Sequence, residues 1–175
     1  KMEPDINKFL LINWGQMPED KYDVNNRGPL STDMIGMNYD YPDGDYKTRA
    51  RIWQEHVDYT KGLLYFLSHD ISVPAKLRQA VSEFGWAKDE FVDNDNFPTQ
   101  LYIREARRMI GEYIMTQKNC EGHEVVEDGI GLAAYIMDSH NCQRVVINGM
   151  VKNEGDVESG GFPPYPISYR SITPK

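Results

Sequence analysis

Apolar residues recur with a helical period through the middle of this chain and with a shorter, turn-punctuated rhythm in its last third. Lys8 to Trp14 (KFLLINW) is a compact run with β-branched and aromatic content, which predicts a buried strand. From Gly15 to Asp45 neither period holds. Asn, Asp, Gly and Pro dominate, with Met34, Ile35 and Met37 embedded, and a stretch this long without a period is usually functional or disordered. The embedded apolar residues favour an ordered loop packed on the domain. Tyr46 to His69 carries Ile52, His56, Tyr59, Leu63 and Leu67 on one stripe, the strongest helical signal in the chain. Pro74 opens a second helix with Leu77, Ala80, Val81 and Phe84 on its apolar face, and Gly85 suits its C-terminal cap. Pro98 and Thr99 introduce a third, running to about Gln117, with Tyr102, Ile103, Met109, Ile110 and Tyr113 on its stripe.

Past this point the pattern shortens. His123 to Val126 reads as a strand, and Gly129 to Met137 is ambiguous between helix and strand. Arg144 to Ile147 and Met150 to Asn153 flank Asn148-Gly149, a pair suited to a two-residue type I′ hairpin turn. The stretch from Gly161 to Pro174 is proline- and tyrosine-rich and reads as extended. Strand, long loop, three helices and then strands predict an α+β fold. Its sheet is mostly antiparallel, with about three helices packed on one face. The 175 residues fit a single domain, 1–175, with the long loop 15–45 inside it.

Composition narrows the partners more than the fold. With 40% hydrophobic residues the chain can build a core. A net charge of -8 argues against a nucleic-acid partner, whose phosphates need a basic face. No apolar run approaches the roughly 20 residues that cross a bilayer. Cys120 and Cys142, far apart, cannot supply the four thiolates of an iron–sulfur cluster or a four-cysteine zinc site. They read as free thiols or one disulfide. No His-x-x-x-His or similar spacing suggests a metal.

Four constellations have chemistry to offer. Gly129-Ile-Gly131-Leu-Ala-Ala134 matches G-x-G-x-x-[GA], yet the run before it is too polar for a central strand. Asp138-Ser139-His140 also follows too soon for a crossover helix, so a chance match is the better reading. In Asp138-Ser139-His140 itself, a histidine suited to proton transfer sits two residues from a carboxylate, on the same side if the segment is extended. The competing reading is a turn with a surface histidine. Arg104, Arg107 and Arg108 place three guanidinium groups on the third helix, Arg104 and Arg108 on one face. Either they grip an anion or ring system, or they pair with local acids. The long loop, with Asn25, Asn26 and Asp33, offers amide and carboxylate groups suited to a sugar-like polyol, or simply an ordered connection.

The order of several runs carries a resemblance. Asn26-Arg-Gly-Pro-Leu-Ser-Thr-Asp33, Leu101-Tyr-Ile-Arg-Glu-Ala-Arg-Arg-Met109, Met137-Asp-Ser-His140 and Pro166-Ile-Ser-Tyr-Arg170 are its core. The chain resembles, over nearly its whole length, the FAD-dependent oxidoreductase family common in Bacteroidetes and related bacteria. That family binds FAD with the two ends of its chain and inserts a substrate-side domain between them. This sequence resembles the inserted portion, without the glycine-rich flavin loop or the closing C-terminal segment. The resemblance implies FAD in the intact protein and none held by this portion alone, the partners being a small-molecule substrate and the FAD-binding segments of the same protein. It implies hydride transfer from a small polar, sugar-like substrate to flavin. It leaves the compartment open between bacterial cytoplasm and periplasm. Some relatives are described with an iron–sulfur cluster, for which two cysteines are too few. Within this frame His140, oriented by Asp138, is the expected proton-handling group. Arg104 and Arg108 are expected at the flavin, and Asn25, Asn26, Asp33, Tyr102, Tyr169 and Arg170 at the substrate. The alternative is a stand-alone, non-catalytic module that binds a carbohydrate or other small ligand.

Overall fold

The computed structural model describes residues 12–24, 32–103 and 107–175, without the side chains of 12–16, 23 and 24. The chain divides into two compact units, Lys1–Ile103 and Arg104–Lys175. The fold is α+β: among the described residues there are three helices, and strands that pair antiparallel, two by two.

In the first unit β1 (Ile12–Met17) pairs with β2 (Lys21–Val24) through a tight turn at Pro18–Asp20. The stretch read as a loop from Gly15 therefore holds a second strand. Residues 32–45 form successive turns: Met37 N–H donates to the Met34 carbonyl, Tyr41 to Asn38 and Gly44 to Tyr41. Arg49 pins them to the first helix, donating to the Tyr41 and Pro42 carbonyls at 3.0 and 2.8 Å. That helix, α1 (Tyr46–His69), has the bounds its period predicts, and the Asp45 carboxylate caps it by accepting from Thr48 N–H at 2.7 Å. At its other end the His69 ring stacks on Tyr65, where a cation suits the macrodipole.

Helix α2 (Ala75–Ser82) follows Pro74, which occupies its N-cap. Leu67, Val73, Leu77 and Val81 bury together between the helices, and Tyr22, Leu63 and Phe84 close over them. A second apolar patch forms where Trp53 and Trp86 meet the buried Phe97 edge-on, with the Lys61 ammonium over its ring. Lys21 reaches Asp89 and Glu90, tying β2 to the segment after α2. His56 is only half satisfied. Its Nδ1 lies 2.7 Å from the Ile52 carbonyl, so Nδ1 carries the proton, and among the described residues its buried Nε2 has no partner.

The second unit is built differently. The third predicted helix does not form on the described residues of 98–117; the helix here is α3, only Gln117–Cys120. The reason lies in the chain's last residues. Glu112 and Tyr113 N–H donate to the Thr173 and Arg170 carbonyls, Lys175 N–H donates to Ile110, and Gly111 bridges Pro174. A helix would need those groups for itself, and apolar periodicity cannot report a distant competitor. His123–Val126, read as a strand, is a bend followed by irregular backbone instead, because His123 and Glu124 N–H both return to the Lys118 carbonyl.

Three antiparallel pairings form in this unit. β3 (Gly129–Ala133) pairs with β8 (Tyr165–Ser168). β4 (Met137–Asp138) pairs with β7 (Glu158–Ser159), and β5 (Asn141–Ile147) with β6 (Met150–Gly155). The last pair turns at Asn148-Gly149 with φ of 52° and 73°, the type I′ signature the dipeptide predicts. The cysteines form no disulfide. Cys120 is buried and its thiol donates to the Ser159 carbonyl at 3.3 Å.

Leu67→Ala empties the centre of the first unit's core and is expected to cost 2–5 kcal/mol of that unit's stability in urea unfolding, by roughly the usual large-to-small penalty. His56→Leu, which removes an unpaired buried acceptor, is expected to be neutral or stabilising within about 1 kcal/mol in the same measurement.

Candidate functional site

Two places in the second unit bring chemically capable side chains together. The first is a kink in the ribbon that runs through β4–β7 and β5–β6. Between these pairs Ser139 N–H donates to the Val157 carbonyl, and Val157 N–H donates to Ser139 Oγ, both at 3.0 Å. Gly155 (φ 102°) and Asp156 (φ 63°) make the bend. Gly155 is required there, since a Cβ would stand 2.4 Å from the His140 carbonyl oxygen. The kink thus displays Asp138, exposed and opposite Glu158, beside a half-buried His140. Two residues apart, they share the bend. Two carboxylates directly opposite repel, and here water screens them.

The second place is a polar knot around Asp128. Its carboxylate accepts Arg170 Nε at 3.0 Å and Nη2 at 3.2 Å, a two-point fork. It also accepts the Arg170 backbone N–H at 3.1 Å and the buried Ser168 hydroxyl at 2.8 Å. The Asp128 carbonyl accepts Tyr169 N–H at 3.0 Å. One aspartate thereby holds three consecutive residues. Arg170 also lies over the Tyr113 ring, 5.2 Å from its centre. The Tyr113 hydroxyl donates to Glu124 and accepts from Asn119, each at 2.8 Å, and Asn119 is only 1% exposed. The Arg170 fork and the Ser168 hydroxyl hold the Asp128 carboxyl far below the usual carboxylate range, and Asp128 in turn raises Arg170.

The other expected site residues belong to several segments of the chain. Asn25, Asn26 and Arg104 lie outside the described residues. Asp33 is half-buried and Tyr102 exposed, both in the first unit. Arg108 is exposed on a segment that is not helical, so the helix face that would pair it with Arg104 is not formed. Arg170 is expected at the substrate, yet its guanidinium grips Asp128.

A family model described as FAD dependent oxidoreductase matches residues 2–175. The chain belongs to that family. No curated protein and no solved structure matches it.

An FAD dependent oxidoreductase must cradle a pyrophosphate, ordinarily on a glycine loop that opens a helix. The described residues do not fit that group. Gly129 and Gly131 lie within β3, with a Cβ on Gly129 set to meet Pro166 at 2.9 Å, and the next element is β4 rather than a helix. The N-terminus of α1 already holds the Asp45 carboxylate. Among the described residues no group of three or more His, Cys, Asp or Glu is placed to hold a metal, and no helix is long and apolar enough to cross a membrane.

Sequence reasoning missed Asp128, Tyr113, Asn119 and Ser168. Asp128 sits in a run read only as too polar for a strand, and its partners lie up to 42 residues away. The one local signal was Gly129, placed where β3 must pass close to Pro166.

Because the folded Asp128 is the more acidic state, its contribution to stability is complete above the ordinary carboxylate pKa of about 4 and is lost as the pH falls below it. The stability gap between the protein and Asp128→Asn, read from urea midpoints, is therefore expected to be widest near neutrality and to shrink on acidification below about pH 4. A gap that stays constant with pH would count against the knot.

Proposed function

We propose that this chain forms the substrate-side part of an FAD-dependent oxidoreductase that oxidises a small, polar, sugar-like substrate. The observation that carries the reading is the family match across residues 2–175. FAD supplies the electron acceptor when bound. Since the described residues do not fit its pyrophosphate, we assign its binding to other residues of the intact protein, with Arg104 and Arg108 as candidates for an anionic contact from this chain.

The chain's own task is then to bind, orient and manage a proton. Oxidising an alcohol carbon releases the hydroxyl proton, and a group titrating near neutrality must take it. His140 is the residue we assign to that step. Its support is chemical and local: it is the histidine at the ribbon's kink, half-buried, beside an exposed carboxylate. Asp138, two residues away, is the carboxylate we assign to orient its ring. Asn25, Asn26, Asp33, Tyr102 and Tyr169 supply the hydrogen-bonding and apolar surfaces that a polyol takes.

The test is anaerobic bleaching of the flavin in the intact protein by a panel of aldoses and polyols. For His140→Ala the reduction rate is expected to fall by about 10²–10⁴ and to lose its dependence on pH near neutrality. An unchanged rate across pH would remove His140 from the mechanism. Sugar binding without any bleaching would favour a non-catalytic binding module.

A further inference from the structure

We infer that Asp128 is a positioning residue for the substrate, acting through the Ser168–Arg170 turn to present Tyr169; this rests on the proposed function above. The turn contains three side chains with polar groups, and the knot disposes of two of them. Ser168 is fully buried with its hydroxyl on Asp128. The Arg170 guanidinium is spent on the same carboxylate and on the Tyr113 face. Tyr169 alone points its polar group outward: it is 54% exposed, and its phenol makes no hydrogen bond among the described residues. Its backbone, in contrast, is fixed. Tyr169 N–H is held by the Asp128 carbonyl, and its own carbonyl accepts Ile172 N–H at 3.1 Å.

A phenol on a rigid turn suits a polyhydroxy ligand. The ring offers an apolar face and the hydroxyl donates or accepts, with few rotatable bonds to immobilise on binding. The rigidity comes from Asp128, which is anchored by β3 on one side and reached by three residues of the turn on the other. The Arg170 carbonyl, accepting Tyr113 N–H at 3.1 Å, closes the turn from behind. Asp128 thus does not touch the ligand; it sets where Tyr169 stands.

The experiment follows flavin bleaching of the intact protein against concentration, using whichever aldose or polyol reduces the wild type. Asp128→Asn is expected to raise the half-saturating concentration about tenfold while leaving the limiting rate within about twofold. Tyr169→Phe is expected to raise it as well, and Asp128→Glu to recover part of the loss. Arg170→Lys, which keeps the charge and the fold's hydrogen-bonded backbone, serves as the second variant should Asp128→Asn fail to fold, and is expected to show the same split. A half-saturating concentration unchanged in the variants overturns the inference alone. So does a parallel loss of rate and affinity that tracks the melting temperature, the mark of a merely structural role. If no sugar or polyol bleaches the wild-type flavin, the functional reading falls and this inference falls with it.

Discussion

The second unit depends on one ion pair and the hydrogen bonds gathered around it. Its fully buried residues among those described are few, and two of them, Asn119 and Ser168, are polar. A unit with so little apolar interior must satisfy each buried polar group, because an unpaired one costs what a lost hydrogen bond costs. The fork between Arg170 and Asp128 does this for three segments at once. It fixes the chain's last turn, accepts the Ser168 hydroxyl and sets the guanidinium over Tyr113, whose hydroxyl engages Asn119 and Glu124. Once Arg170 is fixed, its carbonyl claims Tyr113 N–H and the neighbouring backbone of 110–112 pairs with 173–175. The non-helical backbone of 107–116 is thus a consequence of the same knot.

The first unit shows the contrasting solution and explains which features were legible in the sequence. Its stability comes from an apolar stripe on α1 facing α2, and such a stripe is written locally in the chain. Tyr46–His69, the helix after Pro74 and the Asn148-Gly149 hairpin all rest on neighbours within one or two turns, and all were readable. The 98–117 segment has an equally good stripe, yet Met109, Ile110 and Ile114 end up exposed. There the competing partner is the Arg170–Lys175 segment, some 60 residues later, and no local period encodes it. Asp128 was illegible for the same reason. An aspartate before a glycine is ordinary until its arginine is known.

The candidate site shows a similar division. The Asp138-Ser139-His140 run drew notice through residue types alone, and the structure adds why it sits apart from the regular ladder: Gly155 and Asp156 bend the ribbon at that point. The glycine motif at 129–134, by contrast, matched a nucleotide fingerprint in spelling while Gly129–Ala133 forms a strand. Membership of the FAD dependent oxidoreductase family is what connects this chain to redox chemistry.

The most direct measurement of the central claim is a double-mutant cycle on Asp128 and Arg170, using Asp128→Asn, Arg170→Gln and the pair, followed by urea unfolding near neutral pH. If the fork holds the second unit together, either single substitution already forfeits it, and the double variant is scarcely less stable than the worse single one. If the two losses simply add, the residues act independently, and the knot is not what organises this unit.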